Sequence, residues 1–212
     1  MWRARLPTSV RSCKILYIFW KYCMLGIILA GGYSSRAKLN KLLLEINHRP
    51  LISYTIEAMR PFVDRIVVVT GRYHDELEPV LKTLNVDIVF NEYFACGMFS
   101  SMKAGIAEAH NEDILLIPGD IPNVSKDTYQ ALLRAPGSIR IPTFEGHDGH
   151  PLFLSAQYLD EIKQSSINSN MHEFLEKYES EKVRVPVDDP FICLDIDTIR
   201  DYHKFCELLE RK

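Results

Sequence analysis

Hydrophobic positions along the chain fall into short solid runs separated by amphipathic stretches. Residues 25–30 form an unbroken apolar run with the length and bulk of a strand buried on both faces. Residues 65–71, 86–91 and 113–120 repeat the pattern, each closing on a glycine or a polar residue. Between them, Leu51, Ile52, Ile56 and Met59 recur at helical spacing and stop before Pro61. Residues 74–84 predict a second helix. Ser100 or Ser101 caps a third that runs to Ala109, and Ser125 caps a fourth over 125–134. Residues 42–50 read as a short extended piece ending at Pro50. Beyond Ser138 the rhythm loosens. Residues 139–144 and 151–155 predict strands around a polar hairpin at 145–150, followed by helices over 156–162 and 171–178. Residues 182–187 and 191–196 read as extended, and 198–209 as the closing helix.

Strands alternating with helices predict an α/β domain with a mostly parallel central sheet. Such sheets place their sites beyond the carboxyl ends of the strands. Gly31, Thr70, Gly71, Asn91 and Asp120 converge there by this reading.

At 212 residues the chain has room for one medium domain, expected over 24–212. Residues 1–23 differ from the rest: Arg3, Arg5, Arg11, Lys14 and Lys21 appear with no acid and one short apolar patch at 15–20. They read as an upstream extension outside the fold, with Met24 as the expected true start; a membrane-surface tail is the competing reading. A net charge of −3 gives no general attraction to nucleic acid, so an anionic ligand has to be met by local cations or a metal. The five cysteines are odd in number and contain no C-x-x-C pair, which argues against a disulfide framework or a zinc knuckle and fits a reducing cytoplasm. No apolar run reaches the roughly 18 residues that a membrane span requires.

Candidate chemistry begins at the end of the first run. Gly31 and Gly32 break the strand, and the following residues include Ser34, Arg36, Lys38, Asn40 and Lys41. Glycine lets backbone amides approach an oxyanion, and the cations offset its charge, as a polyphosphate requires. The same residues also suit a plain turn with a solvated loop. Asp120 follows a buried run and Pro118–Gly119, where it suits either a magnesium ligand or a turn. Asp195 and Asp197 stand two apart in an extended segment and share a face, unfavourable for like charges unless a cation or donors lie between them. Capping of the last helix competes for the same acids, so one ligand and one cap are expected. His147, Asp148 and His150 read as a polar hairpin rather than a zinc site. The dinucleotide fingerprint, the P-loop and the nucleophile elbow are all missing.

Together the blocks resemble a known family, the nucleotidyltransferases that load molybdopterin with CMP or GMP. The resemblance rests on Leu29-Ala-Gly-Gly-Tyr-Ser-Ser-Arg36 with Lys41, on Asn91 with Gly97-Met98 and Ser101, on Pro118-Gly-Asp120-Ile-Pro122, on Gly149-His-Pro151, and on Asp195-Ile-Asp-Thr198 with Asp201. It covers nearly all of the chain beyond residue 23. It implies a Rossmann-like nucleotidyltransferase fold of GT-A type, with helices on both sides of the sheet. Leu29, Ala30, Gly31, Gly32, Ser34, Arg36, Lys41, Asn91, Gly97 and Ser101 would bind the nucleotide, with Arg36 and Lys41 on its phosphates. Asp120 would hold Mg2+ with Asp197 or Asp195, and His150 would face the acceptor. Arg36, Lys41 and Asp120 are the implied catalytic set, acting on an NTP (CTP or GTP) and a phosphorylated small molecule. Gly31 resembles the guanylyl branch. The Asn91 block and Gly149-His-Pro151 resemble the cytidylyl branch, which favours CTP. Ala37-Lys38 replaces the family's Met-Gly. A sugar- or alcohol-phosphate transferase of the same fold and a non-catalytic nucleotide binder are the competing readings.

Overall fold

The computed structural model describes residues 23–32, 40–196 and 199–210. Strand β1 (Met24–Ala30) lies at the centre of the main sheet and is buried at every position. It pairs in parallel with β4 (Arg65–Thr70) on one side and β6 (Asp113–Pro118) on the other. β4 in turn pairs in parallel with β5 (Asp87–Phe90), the outer strand on that side. Beyond β6 come β9 (Leu152–Leu154), antiparallel to its neighbours, then β7 (Ile139–Phe144) and β10 (Lys182–Pro186), the last two parallel to each other. The short β8 (His147–Asp148) folds back on β7 across a turn at Glu145 and Gly146, both at positive φ. A separate two-stranded hairpin, β2 (Glu45–Ile46) and β3 (Arg49–Pro50), turns at Asn47 and His48, also at positive φ.

The pleat of β1 divides the core. Leu25, Ile27 and Leu29 join Phe99, Met102 and Ile106 of α3 (Met98–Ala107), together with α5 (Leu159–Gln164) and α6 (Met171–Lys177). Met24, Ile28 and Ala30 join α1 (Leu51–Met59), α2 (His74–Thr83) and α4 (Lys126–Arg134). Helices therefore cover both faces, as a sheet of near-continuous apolar strands demands. Each fully buried Leu or Ile contributes about 1.5–3 kcal/mol of transfer free energy to this arrangement. A third, smaller cluster gathers Ile46, Leu51, Phe191, Leu194 and Ile196 around Phe205 of α7 (Ile199–Glu210). No helix among the described residues is long and apolar enough to cross a membrane. The described cysteines are unpaired, and Cys13 lies outside the described residues.

Four stretches differ from the sequence pattern. Residues 42–50 are not one extended piece: Lys41–Leu43 is a 3-10 turn capped by Asn40, whose side chain accepts from Leu42 N at 3.2 Å, and the β2–β3 hairpin follows. Residues 191–196 do not form a strand: Pro190–Cys193 is a 3-10 turn, nucleated by Asp189, whose carboxylate accepts from Phe191 N at 3.1 Å. α3 starts at Met98, two residues before the expected serine cap, because Gly97 turns the chain at φ +98°. The predicted helix over 156–162 splits into a 3-10 turn, Ala156–Tyr158, followed by α5. Ser125 caps α4 as its position suggests, accepting from Thr128 N at 3.2 Å.

Asp189 is buried and also accepts from Ser125 N and Thr128 Oγ1, both at 2.7 Å, so it ties the start of α4 to the 3-10 turn. Asp189→Ala leaves these donors unpaired and is expected to cost about 3 kcal/mol, measured as a lower urea midpoint. Tyr129 is the opposite case. Its ring is fully buried and stacked on Phe62 at 4.7 Å, but its hydroxyl has no partner, and burial raises its pKa. Tyr129→Phe removes an unsatisfied group at constant shape and should stabilise the fold by about 1 kcal/mol in the same urea titration.

Candidate active site

The parallel strands β1, β4 and β6 deliver their exits to one side of the sheet, and a cleft of about 530 Å³ opens there. Gly31 and Gly32 line it where β1 ends. A Cβ on Gly71 would lie 2.9 Å from Gly31 O and 2.6 Å from Phe94 Cβ, so the exits of β1 and β4 touch backbone to backbone. A Cβ on Gly31 would lie 2.6 Å from Ser101 Oγ. One wall runs from Phe94 to Ser101, and Lys41 stands on another.

The Phe94–Ser101 wall is held from behind. Asn91 is buried, and its Nδ2 donates to Ser100 Oγ at 2.8 Å and Ser101 Oγ at 3.1 Å, while its Oδ1 accepts from Tyr93 N at 3.0 Å. The single Ser100 hydroxyl proton is shared between the carbonyls of Gly97 at 2.7 Å and Tyr93 at 2.8 Å. These serines thus brace the wall rather than cap the helix. Gly97 combines φ +98° with ψ −179°, a conformation that is essentially restricted to glycine. Of the nucleotide-side candidates, Leu29, Ala30, Gly31, Gly32, Lys41, Gly97 and Ser101 line the cleft, whereas Asn91 sits behind it.

Asp120 lies opposite Lys41, and the two form an ion pair at about one-fifth exposure each. The loop that carries Asp120 is tied down on three sides. Gly119 N donates to Leu29 O at 2.9 Å, and Ile196 N donates to Asp120 O at 3.2 Å. Thr55 Oγ1, fully buried on α1, reaches both Gly119 O at 2.9 Å and Ile121 O at 3.3 Å. Thr55 escaped the sequence reading, although a hydroxyl beside Ile56 on an apolar helix face was a usable signal. The Ile196 contact brings Asp195 onto the same cleft as Asp120. Among the described residues no group of three or more His, Cys, Asp or Glu could hold a metal. Two carboxylates on one cleft suit magnesium, which takes one or two carboxylates and completes its shell with phosphate oxygens and water. Ser34, Arg36, Lys38 and Asp197 lie outside the described residues.

A second cavity of about 600 Å³ adjoins the first and shares Leu29, Gly97, Met98 and Pro118 with it. Its lining is more apolar, including Ile141, Leu152, Met171 and Leu175, with His150 and Asp148 among its polar groups. A smaller space of about 300 Å³ is lined by Asp120 and Asp195 together with His150, linking the two halves. His150 N donates to Ile192 O at 2.9 Å, and its Nδ1 is enclosed without a partner. Burial drives the imidazole pKa down to about 4, against the opposing influence of Asp120 and a backbone hydrogen bond at Leu116.

This arrangement has relatives. The chain is 31% identical over 179 residues to a molybdenum cofactor cytidylyltransferase of Escherichia coli, covering 83% of this chain and 92% of that protein. It is 30% identical over 171 residues to a molybdenum cofactor guanylyltransferase of Ectopseudomonas mendocina, covering 77% and 83%. Among solved structures, a nucleotidyl transferase from Methanothermobacter thermautotroptrophicus superposes with a TM-score of 0.77 at 25% identity, over 89% of this chain and 98% of that one. A Mycobacterium tuberculosis protein solved in complex with manganese shares the fold at a TM-score of 0.69 and 21% identity, over 87% and 98%. Since the model of the MobA-like NTP transferase domain matches residues 26–183, from the central strand through to β10, the chain belongs to that family of nucleotidyltransferases.

Proposed function

We propose that the protein is a Mg2+-dependent nucleotidyltransferase that moves CMP from CTP onto a phosphorylated acceptor of the molybdopterin type, releasing pyrophosphate. The observation that carries this reading is the position of Asp120. It faces Lys41 in the glycine-lined cleft and also lines the space that leads to His150. Support for CTP comes from the E. coli relative, which is named a cytidylyltransferase.

In this reading the NTP lies along Gly31 and Gly32 with its phosphates towards Lys41, and Arg36 supplies a second cation. Lys41 exchanges its Asp120 partner for phosphate oxygens as the nucleotide enters. Asp120 would hold the metal with Asp195 or Asp197, and the metal would neutralise charge on the phosphate oxygens. An acceptor phosphate oxygen from the His150 side attacks the α-phosphorus in line. The new P–O bond forms as the bond to the bridging oxygen of pyrophosphate breaks, and that oxygen carries the electron pair away. No protein nucleophile is required, so positioning and charge neutralisation supply the rate. His150 stays neutral at pH 7 and offers the acceptor a hydrogen-bonding group without a charge.

Magnesium-dependent pyrophosphate release, measured across the four NTPs with molybdopterin and with common sugar and alcohol phosphates, should be fastest for CTP with molybdopterin. Asp120→Ala should lose at least about a hundredfold in that assay; undiminished turnover would remove Asp120 from the metal site. The second expectation concerns pH. Because the folded pKa of His150, about 4, lies below its unfolded value, the unfolded chain takes up the proton first. The stability linked to His150 is therefore complete above about pH 6.5 and is lost as pH falls towards 4, by up to about 3 kcal/mol. An imidazole NMR titration should find one histidine still neutral at pH 5.5, and its signal should vanish in His150→Gln.

A further inference from the structure

The third apolar cluster belongs to neither face of the main sheet. At its centre Phe205 is fully buried and stands edge-on to Tyr54 of α1 at 5.9 Å and to Phe191 at 5.8 Å. Leu194 and Ile196, the neighbours of Asp195 on either side, are both buried in it, while Asp195 itself is exposed. The backbone at Asp195 is thus set by its flanking residues and by the Ile196 N–H bond to Asp120 O.

The same cluster grips the segment that follows Lys41. Leu44 N donates to Lys41 O at 3.2 Å, and Leu51 N to Leu44 O at 2.9 Å. Ile46 and Leu51 are buried against Phe205's cluster, and the Tyr54 hydroxyl donates to Ile46 O at 2.7 Å. From α7, Tyr202 OH reaches Glu45 O at 3.0 Å. One cluster therefore holds both the Lys41 side of the cleft and the Asp195 side.

We infer that α7 is a positioning element for the cleft, and that Phe205 fixes the separation of Asp195 from Lys41 across Asp120. The inference uses the proposed metal and nucleotide only to name what the cleft holds; the mechanical coupling stands apart from them. A Phe205→Ala cavity lets Leu194 and Ile196 relax inward and carries Asp195 with them. Magnesium-sized ions tolerate little displacement of a ligand, because their octahedral geometry is nearly rigid. The two larger clusters do not include Phe205, so the sheet keeps its core.

The test uses the full chain with Phe205→Ala and Phe205→Leu, reading hydrogen exchange at single amides and Mn2+ affinity in the presence of CTP. In Phe205→Ala the Ile196 amide should lose protection while the β1 amides keep theirs. Mn2+ affinity, followed by the EPR signal of the free ion, should fall about tenfold or more. Phe205→Leu should recover most of both effects. Unchanged protection at Ile196 with unchanged Mn2+ affinity would overturn the inference, and so would an equal loss of protection at every amide. Should Phe205→Ala fail to fold, Phe205→Leu and Tyr202→Phe carry the test: both should shift the two readouts in the same direction by smaller amounts, and no shift in either variant overturns it. If wild type and Asp120→Ala bind Mn2+ equally, the metal reading fails, and Ile196 exchange alone decides the coupling.

Discussion

The cleft depends on the loop from Gly119 to Ile121 being held still. Its polar backbone groups are met by β1 through Leu29 O, by α1 through the Thr55 hydroxyl, and by the 194–196 stretch through Ile196 N. The Thr55 contacts are buried, where an unmet donor or acceptor costs more than a hydrogen bond normally contributes. The loop therefore cannot drift without breaking contacts to three separate parts of the fold. Asp120 inherits that rigidity, and Lys41 is aimed at a fixed charge.

Charge gives this geometry its chemical character. The chain is acidic overall, and Asp120 and Asp195 place two carboxylates in a cleft suited to a polyphosphate. In the proposed reading, a triphosphate entering beside them meets repulsion that Lys41, which already answers Asp120, offsets only in part without Arg36 and a metal. Nucleotide and divalent cation are thereby expected to bind together rather than independently. The adjoining cavity differs in kind: it is more apolar, and its histidine is held neutral by burial.

Much of this was legible in the sequence because the strands are buried on both faces, so their apolar runs stand out without any tertiary knowledge. Once β1, β4 and β6 are parallel, Gly31, Gly71 and Asp120 have to meet on one side. What escaped depends on partners far away in the chain. The 190–193 turn forms because Asp189 serves Ser125, Thr128 and Phe191 at once, which no local window reveals. Ser100 and Ser101 have the right chemistry for helix caps, yet Asn91 and the Gly97 turn claim their hydroxyls. Asp195 was legible as an acid paired with Asp197 ahead of the last helix, but the anchoring of its flanks to α7 was not.

The meeting of Gly31 and Gly71 carries a consequence for how such a cleft changes over time. Because the two main chains are in contact, a side chain at Gly71 would have to displace the Gly31 carbonyl and the Phe94 side chain together. Gly71 is thus closed to gradual substitution, whereas a Cβ on Gly32 would meet nothing within 4 Å. Change in the cleft is freer at Gly32 and at lining positions that already carry side chains, such as Tyr73, Ala95 and Met98. The cleft can then diverge around a strand junction that stays the same.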